Sequence, residues 1–260
     1  MTTFSQNAEL TPAYILHTRK YGDSSLIAEF LTEKNGRISG VIRGARSKKQ
    51  SGTVQAFTPL LISFIGNGDL KTITKIDAGN ISHIVGDELL VGFYANELLV
   101  RLLAKFEPMR SVFSAYQNLL LQLVSGTNVE PCLRVFEMTL LSELGYGISF
   151  DVEAQSGEPI DENAFYRFGL NQGFYRLAKQ ASGRNFQGKY LLGISEGNFA
   201  EPMVNTYAKF IIRDCLDHLL GGRPLKSREL FKLYRSAASE DVKAKVESKV
   251  EDEDEDEDAQ

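Results

Sequence analysis

Apolar and polar positions change their period once along the chain. Between residues 13 and 80 they fall into five short runs, AYILHTRK, SSLIAEFLT, GRISGVIR, TPLLISFI and DLKTITKID, rich in Ile, Val, Thr, Phe and Tyr. Runs of this length and composition predict strands. The breaks between them carry turn chemistry: YGD, EKNG with its Asn35-Gly36 pair, a long basic segment, and GNG at 66–68. GNGDLKT has the glycines of a phosphate loop without its spacing or a following helix, so it predicts a hairpin turn. Five short strands with one long central loop fit a small closed barrel of the oligonucleotide-binding (OB) type; an SH3-like barrel has the same strand count.

From about residue 86 the period becomes helical. GDELLVGFYANELLVRLLAKFEP is apolar nearly all round, which predicts a central buried helix ending before Pro108. Val112, Phe113, Tyr116, Leu119, Leu120 and Leu123 mark one face of a second helix that stops at Gly126. A third starts from Thr127-x-x-Glu130, the pattern of a capping box, tolerates Pro131 in its first turn and ends at Gly145. Residues 150–200 are the least regular, and AFYRFGLNQGFYRLA within them predicts a β-hairpin turning at Asn171–Gly173. MVNTYAKFIIRDCLDHLLGG predicts a fourth helix stopped by Gly221-Gly222, and PLKSRELFKLY a short last one. After Ser239 the chain is low-complexity acid, where disorder is expected. The expected fold class is α+β: a five-stranded OB-type barrel over residues 1–80, a mostly helical domain over 81–238 with a small irregular, partly β insert at 148–200, and an acidic tail over 239–260.

An apolar share of 43% over 260 residues suits a globular chain with at least one good core. No run of 18 uncharged apolar residues occurs, and the N-terminus lacks the basic and apolar regions of a secretory signal, so a cytoplasmic, nucleoid-associated protein is expected. Cys132 and Cys215 have no metal-ligand spacing and read as free thiols. The net charge of −5 is unevenly spread. Residues 239–260 hold 11 acids and 3 bases, leaving +3 for residues 1–238, and residues 1–80 alone hold 10 bases against 6 acids. Such asymmetry points to a polyanion partner.

The basic residues concentrate in and around the loop VIRGARSKKQSG. Arg37, Arg43, Arg46, Lys48 and Lys49 follow one another with no carboxylate between them, and Arg19, Lys20, Lys71 and Lys75 flank them on the strands. Tyr14, Tyr21, Phe30, Phe57 and Phe64 are interleaved, some as core and some as stacking platforms. A cationic groove with aromatic faces is what single-stranded nucleic acid requires, phosphates supplying affinity and bases stacking. A solvated loop, or one that binds an acidic protein, would show the same charges. Catalysis has no support in the sequence: His17, His83 and His218 share no motif with acids or thiols, and HExxH, GxSxG and the Walker pattern are absent.

YILHTRKYGDSSLIAEFLTEKNGRISGVIRGARS, LRVFEMTLLSELGYG at 133–147 and LGGRPLKSREL at 220–230 resemble, in order, blocks of the RecO family of bacterial recombination mediators. That resemblance spans residues 13 to about 235. It implies an OB-fold followed by a helical domain, binding of single- and double-stranded DNA, and annealing of complementary strands. It also implies work with RecR to load RecA onto DNA coated by single-strand-binding protein (SSB), and recognition of the acidic SSB C-terminal tail. No covalent catalysis and no cofactor are implied. Many members carry four zinc-binding cysteines after the LGY block, whereas ISFDVEAQSGEPIDENAFY has none, and residues 148–200 hold neither Cys nor His. The chain is therefore similar to the zinc-less members, and the acidic tail lies outside the family pattern. For the SSB tail the resemblance points to Arg134. On a helix Arg134, Met138 and Leu141 follow one line beside the core stripe. From periodicity alone, Arg134 reads as a surface partner of Glu130 at i, i+4.

Overall fold

The computed structural model describes residues 9–47, 54–80, 83–178, 182–234 and 236. Lys48, Lys49 and the 239–260 tail lie outside the described residues. Five strands, β1 (Thr11–Tyr21), β2 (Ser25–Thr32), β3 (Gly36–Ile42), β4 (Leu60–Ile65) and β5 (Leu70–Ala78), close into a barrel in the order β1-β2-β3-β5-β4. β4 returns to β1 through Thr11–Ala13, and β3 runs parallel to β5 from Ser39↔Leu70 to Val41↔Thr72, while the other pairs are antiparallel. A parallel β3–β5 pair requires the long segment between β3 and β4 to cross the barrel before the last hairpin forms. This is the Greek-key closure of an OB barrel, and the SH3-like alternative falls away.

β1 shows how the barrel is joined to the rest of the molecule. Its alternate side chains face two different cores: Ala13 and Ile15 enter the barrel with Phe30, Ile38 and Ile62, while Tyr14 and Leu16 pack among the helices with Leu31 and Phe57. A strand buried on both faces reads as a continuous apolar run, which is why AYIL does not alternate. Gly36 stands at another point of contact. It has φ 66°, and a Cβ there would lie 2.2 Å from the Glu107 carbonyl oxygen, so any side chain would push the β2–β3 turn off the helical body.

The helical body is built on α1 (Gly86–Leu102), with α2 (Arg110–Ser125) and α3 (Val129–Glu143) packed as an antiparallel pair. α1 is central. Its Asn96, only 3% exposed, donates to the Leu16 carbonyl of β1 at 3.0 Å and accepts from the Tyr116 hydroxyl of α2 at 2.6 Å. α2 ends at Gly126 in the left-handed conformation. The capping box expected before α3 does not form. Asn128 is the N-cap, with φ 51° and no side-chain cap, because the Thr127 hydroxyl is engaged with Ser125 and Gln122.

The insert is more ordered than its composition suggests. β6 (Phe165–Gly169) and β7 (Gly173–Leu177) form the expected hairpin, and β8 (Phe186–Gln187) joins them in the order β7-β6-β8. α4 (Gly188–Ser195) was not legible in the sequence. Ring contacts of 5.1–6.3 Å run from Phe150 and Phe168 through Phe174 and Phe186 to Tyr207 on α5 (Pro202–Leu219) and hold the insert to the body. Residues 226–234 are helical. Their first turn is capped by Glu97 of α1, which accepts from the Lys226 and Ser227 amides (3.1 and 2.8 Å) and from the Ser227 hydroxyl (2.7 Å). Among the described residues no helix is long and apolar enough to cross a membrane.

Candidate nucleic-acid interface and partner groove

The strand register brings several of the expected cations to one end of the barrel. Arg19 and Lys20 sit on β1 opposite Ile27 and Leu26, which in turn face Val41 and Ile42 on β3, so Arg43 leaves β3 at the same level. Adjacent strands lie about 4.8 Å apart, and β1 and β3 are therefore about 10 Å apart. Lys75 comes from β5 and lines one cavity with Arg43, Val54 and Thr74. Arg46 acts as a clamp. Its backbone amide donates to the Ser24 carbonyl at 3.0 Å and its guanidinium to the Asp23 carbonyl at 2.9 Å, tying the basic loop to the β1–β2 turn. Among the described residues Arg19, Lys20 and Arg43 are exposed and form no ion pair, and Lys75 shares its charge with exposed Asp77 at 2.8 Å.

Two expected cations lie elsewhere. Arg37 donates from Nε to the Leu103 carbonyl at 3.0 Å and pairs with Glu29 at 2.7 Å, both side chains being mostly buried. It fastens the barrel to the helical body. Lys71 donates to Gly66 at 3.0 Å and lies over the Phe106 ring at 4.7 Å, beside that same junction. The aromatics also divide. Tyr14, Phe30 and Phe57 are core and Phe64 packs against the barrel interior, so of these five aromatics it is Tyr21, beside the clamped turn, that is exposed, at 50%. Strands of this length bury one face or both, and period alone cannot tell an outward aromatic from an inward one.

The second site is a groove of about 340 Å³, within the range of ligand-sized clefts, walled by α1, α3, α5 and the 226–234 helix. Its apolar wall is Val91, Val129, Leu133 and Phe231, and Lys209, Arg213, Arg228 and Lys232 line it too. Arg134 is at its floor, 5% exposed, with Nη1 2.5 Å from Oε2 of Glu137, which is 2% exposed. The other Glu137 oxygen accepts from the Tyr94 hydroxyl at 2.6 Å. Burial pushes the Glu137 carboxyl above the usual carboxylate range, with Arg134 and the Tyr94 hydrogen bond opposing it. Arg134 Nε has no hydrogen-bond partner among the described residues, a donor at the floor of a cationic cleft.

This geometry revises the line read along α3. Glu130 does not pair with Arg134; it accepts from Asn205 of α5 at 2.7 Å. Leu141 is 1% exposed in the core and Met138 is half-buried against it, and neither lines the groove. The residues that do are one turn nearer the N-terminus of α3, where helical side chains lean. Val129 and Leu133 at i, i+4 were the available signal; Tyr94, Glu137 and the α5 cations had none. Of the cysteines, Cys132 is half-buried and Cys215 buried, the latter thiol pushed up to about 11 by burial. Among the described residues no group of three or more metal-ligating side chains gathers.

Fold and site together define a class: an OB barrel sharing a core with a helical body, with cations gathered at one barrel end and in a helical groove. Family models agree, residues 7–81 matching "Recombination protein O N terminal" and residues 85–229 "Recombination protein O C terminal". Proteins called "DNA repair protein RecO" are similar over most of the chain. That of Coxiella burnetii (strain CbuG_Q212) is 40% identical over 87% of this chain and 99% of its own length. That of Hahella chejuensis is 41% identical over 86% and 95%, and that of Aliivibrio fischeri (strain MJ11) 40% identical over 85% and 94%. The chain belongs to the RecO family of DNA repair proteins.

Proposed function

We propose that this protein is a non-catalytic mediator of homologous recombination. It binds single- and double-stranded DNA with the barrel, takes the acidic C-terminal tail of SSB into the helical groove, anneals complementary strands, and with RecR loads RecA. The observation that carries the DNA-binding reading is the convergence of Arg19, Lys20, Arg43 and Lys75 on one barrel end, with Arg46 holding their loop in place. Cations fixed at strand spacing screen the repulsion between two phosphate backbones, and no bond need be made or broken for strands to pair. For the groove, the support is a buried guanidinium with an unpartnered Nε beside an apolar wall, which suits a peptide carboxylate next to an apolar side chain.

The test is a salt-titrated binding curve for single-stranded DNA with the Arg43→Ala/Lys75→Ala variant. Two lost phosphate contacts should lower the slope of log K against log salt by about 1.4 and leave the fold intact. An unchanged slope would remove the barrel end as the DNA contact. Binding that does not strengthen with oligonucleotide length would favour the other reading, an acidic protein on the basic loop.

A further inference from the structure

The chain carries its own acidic peptide. Residues 251–258, EDEDEDED, are eight consecutive carboxylates, and only fourteen residues lie between them and Ser236. The last described helix precedes that run in the chain, and its Arg228, Phe231 and Lys232 are themselves groove-lining residues. Fourteen residues extend to at most about 50 Å, so a groove that begins on the preceding helix is well within reach.

The groove's charge is of the complementary sign. Arg134, Lys209, Arg213, Arg228 and Lys232 line it against two carboxylates, Glu130 and Glu137. Glu137 is committed to Arg134 and Tyr94, and Glu130 to Asn205. Asp217 balances part of Arg213 and Arg228, at 3.6 and 2.5 Å, while Lys209 and Lys232 are exposed and have no ion pair among the described residues. The barrel's cationic end is another basic surface among the described residues, but it belongs to a part of the chain remote in sequence from the tail, whereas the helix that precedes the tail lines the groove itself.

We propose that the 251–258 run docks in this groove and competes there with the acidic peptide of a partner. This rests on the groove's taking an acidic peptide and assigns it an occupant within the same chain. Held by a short tether, the run acts at an effective concentration of about 1 mM. With an intrinsic Kd of about 0.25 mM, reasonable for charge contacts alone, a competing peptide would bind about five-fold more weakly. The competition is electrostatic and fades as salt screens it. A partner peptide that adds an apolar side chain against Val129, Leu133 and Phe231 displaces a run that has only carboxylates to offer. The groove is thereby closed to weak acidic ligands and open to specific ones.

The test uses the full-length chain with residues 251–258 changed to Gln and Asn, which keeps the length and removes the charge. A fluorescent peptide of residues 239–260, added in trans at low salt, should bind this neutralised protein. It should lose that binding when the exposed Lys209, Arg213 and Lys232 are changed to Ala, and bind the parent protein several-fold more weakly than the neutralised one. Loss on Arg43→Ala/Lys75→Ala instead, with the groove variant unaffected, would place the run on the barrel and overturn the proposal, as would no binding at all. An SSB-tail peptide titrated in parallel separates the two readings. If it fails to bind while the 239–260 peptide binds the groove, the partner assignment falls and the intramolecular contact stands. If both bind but neutralising the run leaves the affinity for the SSB peptide unchanged at low salt, the competition is refuted.

Discussion

Arg134→Met is the substitution that most sharply tests how the groove floor is built. Arg134 and Glu137 are 5% and 2% exposed and 2.5 Å apart. Removing the guanidinium leaves a carboxylate buried with one hydroxyl donor, from Tyr94. Breaking a buried pair on one side costs about 3–5 kcal/mol, whereas replacing both partners by neutral groups of similar shape is often close to neutral. Arg134→Met should therefore lower stability by about 3–5 kcal/mol near neutral pH, and Arg134→Met/Glu137→Gln by less than about 1.5 kcal/mol, so the second change rescues the first. The pH dependence has a definite sign. Burial already holds the Glu137 carboxyl above its ordinary range, and Arg134 opposes that, so its loss raises the carboxyl further. A carboxyl raised in the folded state destabilises as pH climbs from the unfolded value toward the folded one, at up to about 1.4 kcal/mol per pH unit. The single variant should thus approach the parent near pH 5 and fall away above it, while the double variant, which lacks the carboxyl, should show no pH trend from this site. The chain has no tryptophan, so urea unfolding followed by far-ultraviolet circular dichroism is the assay. A single variant within about 1 kcal/mol of the parent at neutral pH, with no pH trend, would refute a buried and coupled pair. The double variant also separates binding from folding: it should keep its fold and lose the affinity for an acidic peptide.

Arg37→Ala should destabilise by about 2–3 kcal/mol in the same assay, because it severs the Leu103 and Glu29 contacts, and should leave the DNA salt slope unchanged; a reduced slope at full stability would return Arg37 to the DNA surface. Glu97→Gln should speed amide hydrogen exchange across residues 226–234. Burial raises the Glu97 carboxyl, but the Ser227 and Lys226 donors and Arg101 outweigh it and hold it below the usual range. A depressed carboxyl stabilises above the unfolded value and ceases to do so as pH falls through the folded one, so parent and variant should converge in acid. Equal exchange at neutral pH would show that the helix does not depend on this cap.

What could be read from the chain alone is what short-range physics determines. The change from strand runs to a 3.6-residue period near residue 86 located the barrel and the helices, because side-chain direction repeats locally whatever the strand or helix later meets. Turn residues such as Gly36, Gly126, Asn171 and Gly173 marked where elements end, since the ease with which Gly and Asn adopt positive φ is a local property of the residue. α4 escaped because the eight residues of GKYLLGIS are too few to show a period. The cationic loop was visible as composition, but its clamp was not: Arg46 reaches the Asp23 carbonyl 23 positions away. The same holds for Arg37, a cation in a basic run that the fold turns inward against Glu29 and Leu103, and for Tyr14 and Phe30, aromatics claimed by two different cores. Glu97 caps a helix 130 positions downstream. The groove needs α1, α3, α5 and the 226–234 helix together, so no single segment carries its pattern. Only tertiary packing assigns a charge to solvent, to a partner or to a buried pair, because burial and the dielectric around a side chain are set by whichever distant residues fold against it.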